Sequence, residues 1–89
     1  MARVLVSLKV FPSDITVDLG LLKSRIREAL PEFASVHGFA EEPIAFGLTA
    51  LIAHILVPEE RPGGLEEVEG ALRGVDGVDE IQPLMVRRV

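Results

Sequence analysis

Hydrophobic residues alternate with other residues near the start of the chain. One side of this alternation consists of Val4, Val6, Leu8 and Val10. Leu5, Ser7 and Lys9 occupy the other side. A period of two indicates a strand with one buried face. We therefore predict a first strand over residues 4–10, which ends at Phe11-Pro12.

The spacing of apolar residues then changes to that of a helix. The residues on this stripe are Leu19, Leu22, Ile26, Ala29 and Leu30. Asp18 precedes them at a position where its carboxylate can accept from free N–H groups of the first turn. Pro31 cannot continue a helix. The pattern predicts a first helix that begins after Asp18 and ends before Pro31.

Two strands are predicted in the middle of the chain. Residues 33–44 give a weaker strand signal that contains Pro43, which is typical of an edge strand. Residues 48–57 form the most apolar stretch and end at Pro58, as a central strand would. Ala45-Phe46-Gly47 is the turn between them.

A second helix and a last strand complete the pattern. Apolar residues from Leu65 onward keep helical spacing to about Gly74, with acidic residues in the first turn, where the helix dipole favours them. Residues 78–89 form a last strand that is interrupted by Pro83.

The order strand, helix, strand, strand, helix, strand is the βαββαβ pattern of ferredoxin-like folds. We predict an α+β, two-layer sandwich in which an antiparallel sheet of four strands carries two helices on one face. In this topology the first and third strands are central, and Pro43 and Pro83 fall in the two edge strands, where proline is tolerated. We expect one domain over residues 1–89.

The sheet face without helices has two interpretations. Both parities of the third strand are apolar, with Leu51, Ala53, Ile55 and Val57 on one and Leu48, Ala50, Ile52, His54 and Leu56 on the other. An open apolar face is completed by a subunit or used for docking. A central strand is also simply rich in aliphatic residues. The sequence leaves both interpretations open.

Composition narrows the range of functions. The chain has no cysteine, which excludes disulfides, thiolate metal sites and cysteine nucleophiles. A net charge of -5 argues against nucleic-acid binding that is independent of sequence. Neither a signal peptide nor a membrane span fits the alternating start of the chain. We therefore expect a cytoplasmic protein without nucleic-acid or membrane partners.

Residues for bond chemistry are scarce. His37 and His54 are isolated, which makes them a poor metal site, and we interpret them as packing or surface residues. Glu41-Glu42 and Glu59-Glu60 are interpreted as solvated loop charge, because no patterned cation-binding loop is present. Gly63-Gly64 lacks a phosphate-binding motif. We expect neither an enzyme nor a metal or cofactor site.

Two local features stand out. Phe46 lies in a glycine-containing turn, where an aromatic residue is either a lid over the core or an exposed anchor for a partner. Arg87 and Arg88 stand near the end of an otherwise acidic chain, followed by Val89. These arginines are either a solubilising strand end or part of a binding surface.

The run Glu41-Glu42-Pro43-Ile44-Ala45-Phe46-Gly47-Leu48 resembles archaeal elongation factor 1-beta. The aliphatic strand, the acidic loop and the valine-rich last strand with its penultimate basic residue extend the resemblance over essentially the whole chain. The resemblance implies a guanine nucleotide exchange factor for the elongation GTPase that delivers aminoacyl-tRNA, of the elongation factor 1-alpha type. Such a factor has no cofactor and does no bond chemistry.

The resemblance also implies roles for particular residues. By position, Arg88 is the basic residue that the family places at the magnesium and phosphate region of the GTPase, and Arg87 could share that role. Phe46 matches an aromatic residue that contacts the partner, and Val89 adjoins the arginines. The eukaryotic counterpart of Arg88 is a lysine. Many members carry a lysine where this chain has Thr49, so that position is not transferred.

A second function is also compatible with the fold. A ferredoxin-like regulatory or ligand-binding domain would dimerise through its open sheet face and hold a small ligand. The exchange factor is instead expected to be a monomer when free. The oligomeric state therefore separates the two hypotheses.

Overall fold

The computed structural model describes residues 2–89. Its elements are β1 (Arg3–Pro12), α1 (Leu19–Ala29), β2 (Ser35–Ala45), β3 (Leu48–Pro58), α2 (Gly64–Arg73) and β4 (Val78–Arg88). The sheet has four antiparallel strands in the order β2-β3-β1-β4. The predicted ferredoxin-like fold is confirmed, including its central and edge strands.

Proline marks the two edge strands as the sequence predicted. Pro43 lies next to a register shift between β2 and β3. Pro83 pairs with Leu8 beside a second shift, between β1 and β4. Because a proline cannot donate to the ladder, both positions require an edge. Pro12 and Pro58 are the last residues of the central strands β1 and β3.

The hydrophobic core lies between the sheet and the two helices. The predicted alternation places one parity of β1 and β3 inside, where Leu8, Val10, Leu51 and Ile55 are fully buried. Leu22 and Ile26 of α1 and Val68 and Leu72 of α2 cover them. The Asp18 carboxylate accepts from Leu21 N–H at 3.0 Å, so the predicted N-cap of α1 is confirmed.

The predicted second strand is displaced, and one interpretation of its charges is wrong. β2 begins at Ser35 and not at Phe33, and it extends to Ala45. Glu41 and Glu42 lie within β2, as the predicted strand over residues 33–44 already implied, so their separate interpretation as loop charge is wrong. Edge strands tolerate charged side chains because one edge faces water, and here each glutamate also has a cationic partner.

The open face of the sheet combines aliphatic and paired polar residues. Lys9 Nζ contacts Glu42 Oε1 at 3.0 Å, although β3 lies between their strands. Ala50 of β3 is fully buried on this face, and its short side chain leaves room for that ion pair. A hydrogen bond of 2.8 Å joins Ser7 Oγ and His54 Nδ1. No helix among residues 2–89 is long and apolar enough to cross a membrane.

Candidate partner-binding surfaces

The candidate residues fall at two opposite ends of the sheet. The β2–β3 turn, Phe46-Gly47, forms what we call the hairpin end. The start of β1, the end of β3 and the end of β4 form what we call the arginine end, because Arg3 pairs with Pro58 and Val4 pairs with Arg88. The ten residue steps of β3 separate the two ends by about 33 Å, at about 3.3 Å per residue.

The hairpin end presents an exposed aromatic side chain. Phe46 is 99% exposed, so it is not a lid over the core. Its φ is 54°, and that of Gly47 is 81°. Ala45 and Leu48 pair on either side of these two residues, and two consecutive positive φ values are typical of a tight hairpin turn. The first position of such a turn favours Asn, Asp or Gly. Phenylalanine therefore destabilises the turn at this position, and burial of its side chain does not offset this effect.

Further apolar side chains surround this turn. Ile15, in the loop after β1, is 66% exposed and lies near Gly47, within 3.8 Å of where a Cβ would be. Ile44 is also exposed. Thr16 donates to the Asp14 carboxylate from its hydroxyl and its backbone N–H, and these bonds lower the pKa of Asp14. They hold the loop that carries Ile15.

The arginine end holds Arg88 in an ion pair. The Arg88 guanidinium donates to Glu59 Oε1 through Nε at 3.0 Å and through Nη2. The hydrogen bond to Glu59, and then its negative charge, raise the pKa of Arg88. Glu59 follows β3, and its partner lies at the end of β4, so the pair bridges two strands across β1. Val89 N–H donates to the Arg3 carbonyl at 3.0 Å and ties the end of the chain to β1.

The structure brings three of the four predicted site residues together. Arg87, Arg88 and Val89 share the arginine end, whereas Phe46 lies at the other end. Arg87 pairs in register with Leu5 and Arg88 with Val4, so the two arginines project from opposite faces of the sheet. Arg87 lies on the open face and Arg88 on the face that carries the helices.

Sequence reasoning missed two residues at these ends. Glu59 was interpreted only as solvated loop charge, yet it is the partner of Arg88. The predicted strand order could have indicated this pair, since it places the ends of β3 and β4 on either side of the start of β1. Ile15 gave no signal, because a single isoleucine in a loop does not reveal its exposure.

Other charged and histidine residues lie outside the two candidate surfaces or form local pairs. Lys23 Nζ contacts Glu41 Oε2 at 3.1 Å. His37 lies exposed at the register shift of β2, and His54 is half-buried beside Ser7. Within residues 2–89, no group of three or more histidine and acidic side chains could hold a metal ion.

Comparisons with known proteins show the family of this chain. The profile of the EF-1 guanine nucleotide exchange domain matches residues 5–89. "Elongation factor 1-beta" of Staphylothermus marinus is 49% identical over 89 residues, which cover 100% of this chain and 99% of the relative. The protein of the same name from Aeropyrum pernix is 45% identical over 89 residues, with the same coverage.

A solved structure is similar in fold only. The ACT domain from GTP pyrophosphokinase of Chlorobium tepidum has a TM-score of 0.60 and 17% identity, and the match covers 90% of this chain and 96% of that domain. This likeness supports the ferredoxin-like fold. The relatives favour the exchange factor over the regulatory domain.

Proposed function

We propose that this chain acts on the GTPase that delivers aminoacyl-tRNA. The chain belongs to the family of EF-1 guanine nucleotide exchange domains and is a nucleotide exchange factor of translation elongation. The GTPase is of the elongation factor 1-alpha type. Residues 1–89 act as one exchange domain, a monomer when free, in the cytoplasm where translation takes place. The observation that carries the proposal is the position of Arg88 on an exposed strand end, held only by a surface ion pair.

Exchange requires no bond chemistry from this chain, so the protein is not an enzyme in that sense. It binds the nucleotide-free GTPase more tightly than the nucleotide-bound form. Linkage then requires that binding of the factor weaken nucleotide binding by the same ratio. The residues of this chain therefore need only to favour one state of the partner.

Arg88 supplies the cation in this mechanism. A guanidinium is always charged near neutral pH, and its planar fork matches phosphate and carboxylate groups. At the nucleotide site it competes with Mg²⁺ for the phosphates and for the switch residues that hold the metal ion. Because the ion pair with Glu59 is exposed, exchange of Glu59 for a partner group costs little. Arg87 and Val89 extend the contact from the same strand end.

Phe46 anchors the other end of the factor. A fully exposed aromatic side chain loses water-exposed apolar area only when a partner covers it, which is the behaviour of a binding hot spot. Ile15 and Ile44 enlarge the apolar surface around it. The partner is thus held at one end by apolar contact and acted on at the other by charge.

Release of a fluorescent GDP analogue from the elongation GTPase of the same organism tests the proposal. The wild-type protein is compared with Arg88→Ala, with a variant truncated after Val86, and with Arg73→Ala, which removes another exposed, ion-paired arginine. We expect fast release with the wild type and Arg73→Ala and slow release with the other two. An unchanged release rate with the wild-type protein would overturn the proposal.

A further inference from the structure

Three arginines form no ion pair within residues 2–89, and two of them line the same cleft. The sequence has 14 acidic and 9 basic residues. Among residues 2–89, six of the basic side chains form ion pairs with carboxylates. Arg27 instead stacks on the ring of Phe39, with its Cζ 5.1 Å from the ring centroid. Arg3 and Arg87 have neither kind of partner in the described part of the chain.

The cleft lies on the open face at the arginine end. Leu5 and Leu56 pair in register and form its apolar floor, and Leu5 also pairs with Arg87. The other lining residues are Arg3, His37 and Val89, and the cleft has a volume of about 370 Å³. Cationic side chains of β1 and β4 thus stand on one side, and the imidazole of β2 stands on the other. Among residues 2–89, no Asp or Glu side chain lines the cleft.

This combination of residues indicates which chemical groups the cleft would bind. Unpaired guanidinium groups at an interface favour a negatively charged group, and their planar fork suits a carboxylate. The leucine floor favours an aliphatic group beside that carboxylate. The chain has more acidic than basic residues, so an arginine without an ion-pair partner is unusual. Here two such arginines lie next to apolar surface, where their charges remain available to a partner.

We infer that this cleft binds an acidic segment of the partner GTPase, in which a carboxylate side chain lies next to an aliphatic one. The inference rests on the proposed function and extends it from the strand end to the open face. It assigns Arg3, His37, Leu5 and Leu56 to the interface, none of which lies next to Arg88 in sequence. Since Arg87 points to this face and Arg88 to the other, the two arginines have separate tasks: Arg87 docks the partner, and Arg88 acts at the nucleotide.

Acidic substitutions on both sides of the cleft test the inference. Arg3→Glu and His37→Glu are compared with Arg73→Glu, which makes the same change of charge as Arg3→Glu on an exposed turn of α2. Binding to the nucleotide-free GTPase is measured by calorimetry, and GDP release is measured in parallel. We expect each cleft variant to bind about tenfold more weakly and Arg73→Glu to change binding by less than about threefold.

A cross-link identifies the occupant. The chain has no cysteine, so His37→Cys creates a unique attachment point for a benzophenone maleimide. Irradiation of the complex followed by peptide mapping is expected to yield a GTPase segment that contains Asp or Glu beside an aliphatic residue. A basic segment, or a cross-link to a second copy of this chain, would contradict the inference.

The two proposals fail in different ways. If the wild-type protein neither binds the GTPase nor releases GDP, the proposed function is wrong and the inference falls with it. If the wild type is active and the cleft variants behave like Arg73→Glu, only the inference is overturned. Far-ultraviolet circular dichroism and thermal melting of each variant show whether it is folded, and a variant that does not fold is replaced by Arg3→Ala or His37→Ala.

Discussion

Phe46 combines an unfavourable backbone conformation with an exposed aromatic side chain. An L-residue in the left-handed region is destabilised by about 1–2 kcal/mol, and the φ of Phe46 is 54°. Its ring is 99% exposed, so the fold gains almost no hydrophobic burial from it. A residue that costs stability without contributing to the core indicates a function outside the fold. From the sequence alone, Phe46 could equally be a lid over the core or an exposed anchor for a partner. Neither periodicity nor composition reports the exposure of a turn residue.

Replacement of Phe46 by asparagine separates stability from binding. Asn-Gly is the preferred pair in a turn with two positive φ values. We expect Phe46→Asn to raise the free energy of unfolding by up to about 1 kcal/mol, because the strain is relieved. Affinity for the GTPase is expected to fall by about 30-fold, as for loss of an aromatic hot spot. Urea denaturation and calorimetry measure the two effects. A stability loss would show that the ring packs against the fold after all.

At the scale of elements, the cap of α1 shows how one side chain fixes a helix boundary. The Asp18 carboxylate accepts from Leu21 N–H, one of the first N–H groups that have no partner within the helix. Leu22 and Ile26 of the same helix are fully buried, so its position affects the whole core. The boundary was predictable because capping depends on a local sequence pattern.

We expect Asp18→Ala to lower the free energy of unfolding by about 1 kcal/mol, since the carboxylate acceptor is lost. Asp18→Asn keeps an oxygen that can accept the same hydrogen bond and is expected to have a small effect. Glu32→Ala removes an exposed acid after the helix and serves as the charge control. Midpoints of urea denaturation compare the three variants. Equal losses in Asp18→Ala and Asp18→Asn would show that charge, and not the cap, stabilises α1.

The ends of β3 and β4 are joined by the ion pair of Glu59 and Arg88. In the proposed mechanism Arg88 must leave Glu59 to reach the nucleotide site, so Glu59 competes with the partner. Glu59→Gln is therefore expected to raise the rate of GDP release a few-fold at most, because exposed ion pairs are weak. Glu60→Gln, at the adjacent exposed acid, is the control and is expected to change nothing. The difference should shrink at high ionic strength. Slower release with Glu59→Gln would instead mean that Glu59 positions Arg88.

The strands also show where prediction from sequence stops. Alternation and proline positions were sufficient for β1, β3 and the two edges, because burial of one face and hydrogen bonding act along each strand. Glu41 and Glu42 fall inside the strand predicted over residues 33–44, but two adjacent charges before Pro43 were interpreted as loop charge. In the structure, Lys23 and Lys9 come from α1 and β1 to pair with them. Such partners come together only through the tertiary fold, and the same holds for Arg88 with Glu59 and for the cleft lined by Arg3 and Arg87.

At the scale of the whole molecule, the two candidate contacts are far apart. The hairpin end and the arginine end are separated by about 33 Å along β3, and the molecule is 42 Å long in its largest dimension. A partner that touches both ends must therefore extend along the full length of the sheet.

This separation predicts independent effects of the two ends. Residues that share no contacts and lie more than about 10 Å apart contribute additively to binding, within about 0.5 kcal/mol. Phe46→Ala is expected to weaken the complex with the GTPase, so that more factor is needed for half-maximal exchange. Arg88→Ala is expected to lower the maximal rate of GDP release at saturating factor, because Arg88 acts at the nucleotide site in the proposed mechanism.

Titrations of GDP release against factor concentration with both single variants and the double variant measure these effects. The double variant should show the Phe46→Ala shift in half-maximal concentration together with the Arg88→Ala loss in maximal rate, each at its single-variant size. A double variant no worse than one of the singles would mean that the two ends act as one unit. The rigid sheet would then transmit binding at the turn to the strand end, and Phe46 would be part of the exchange step itself.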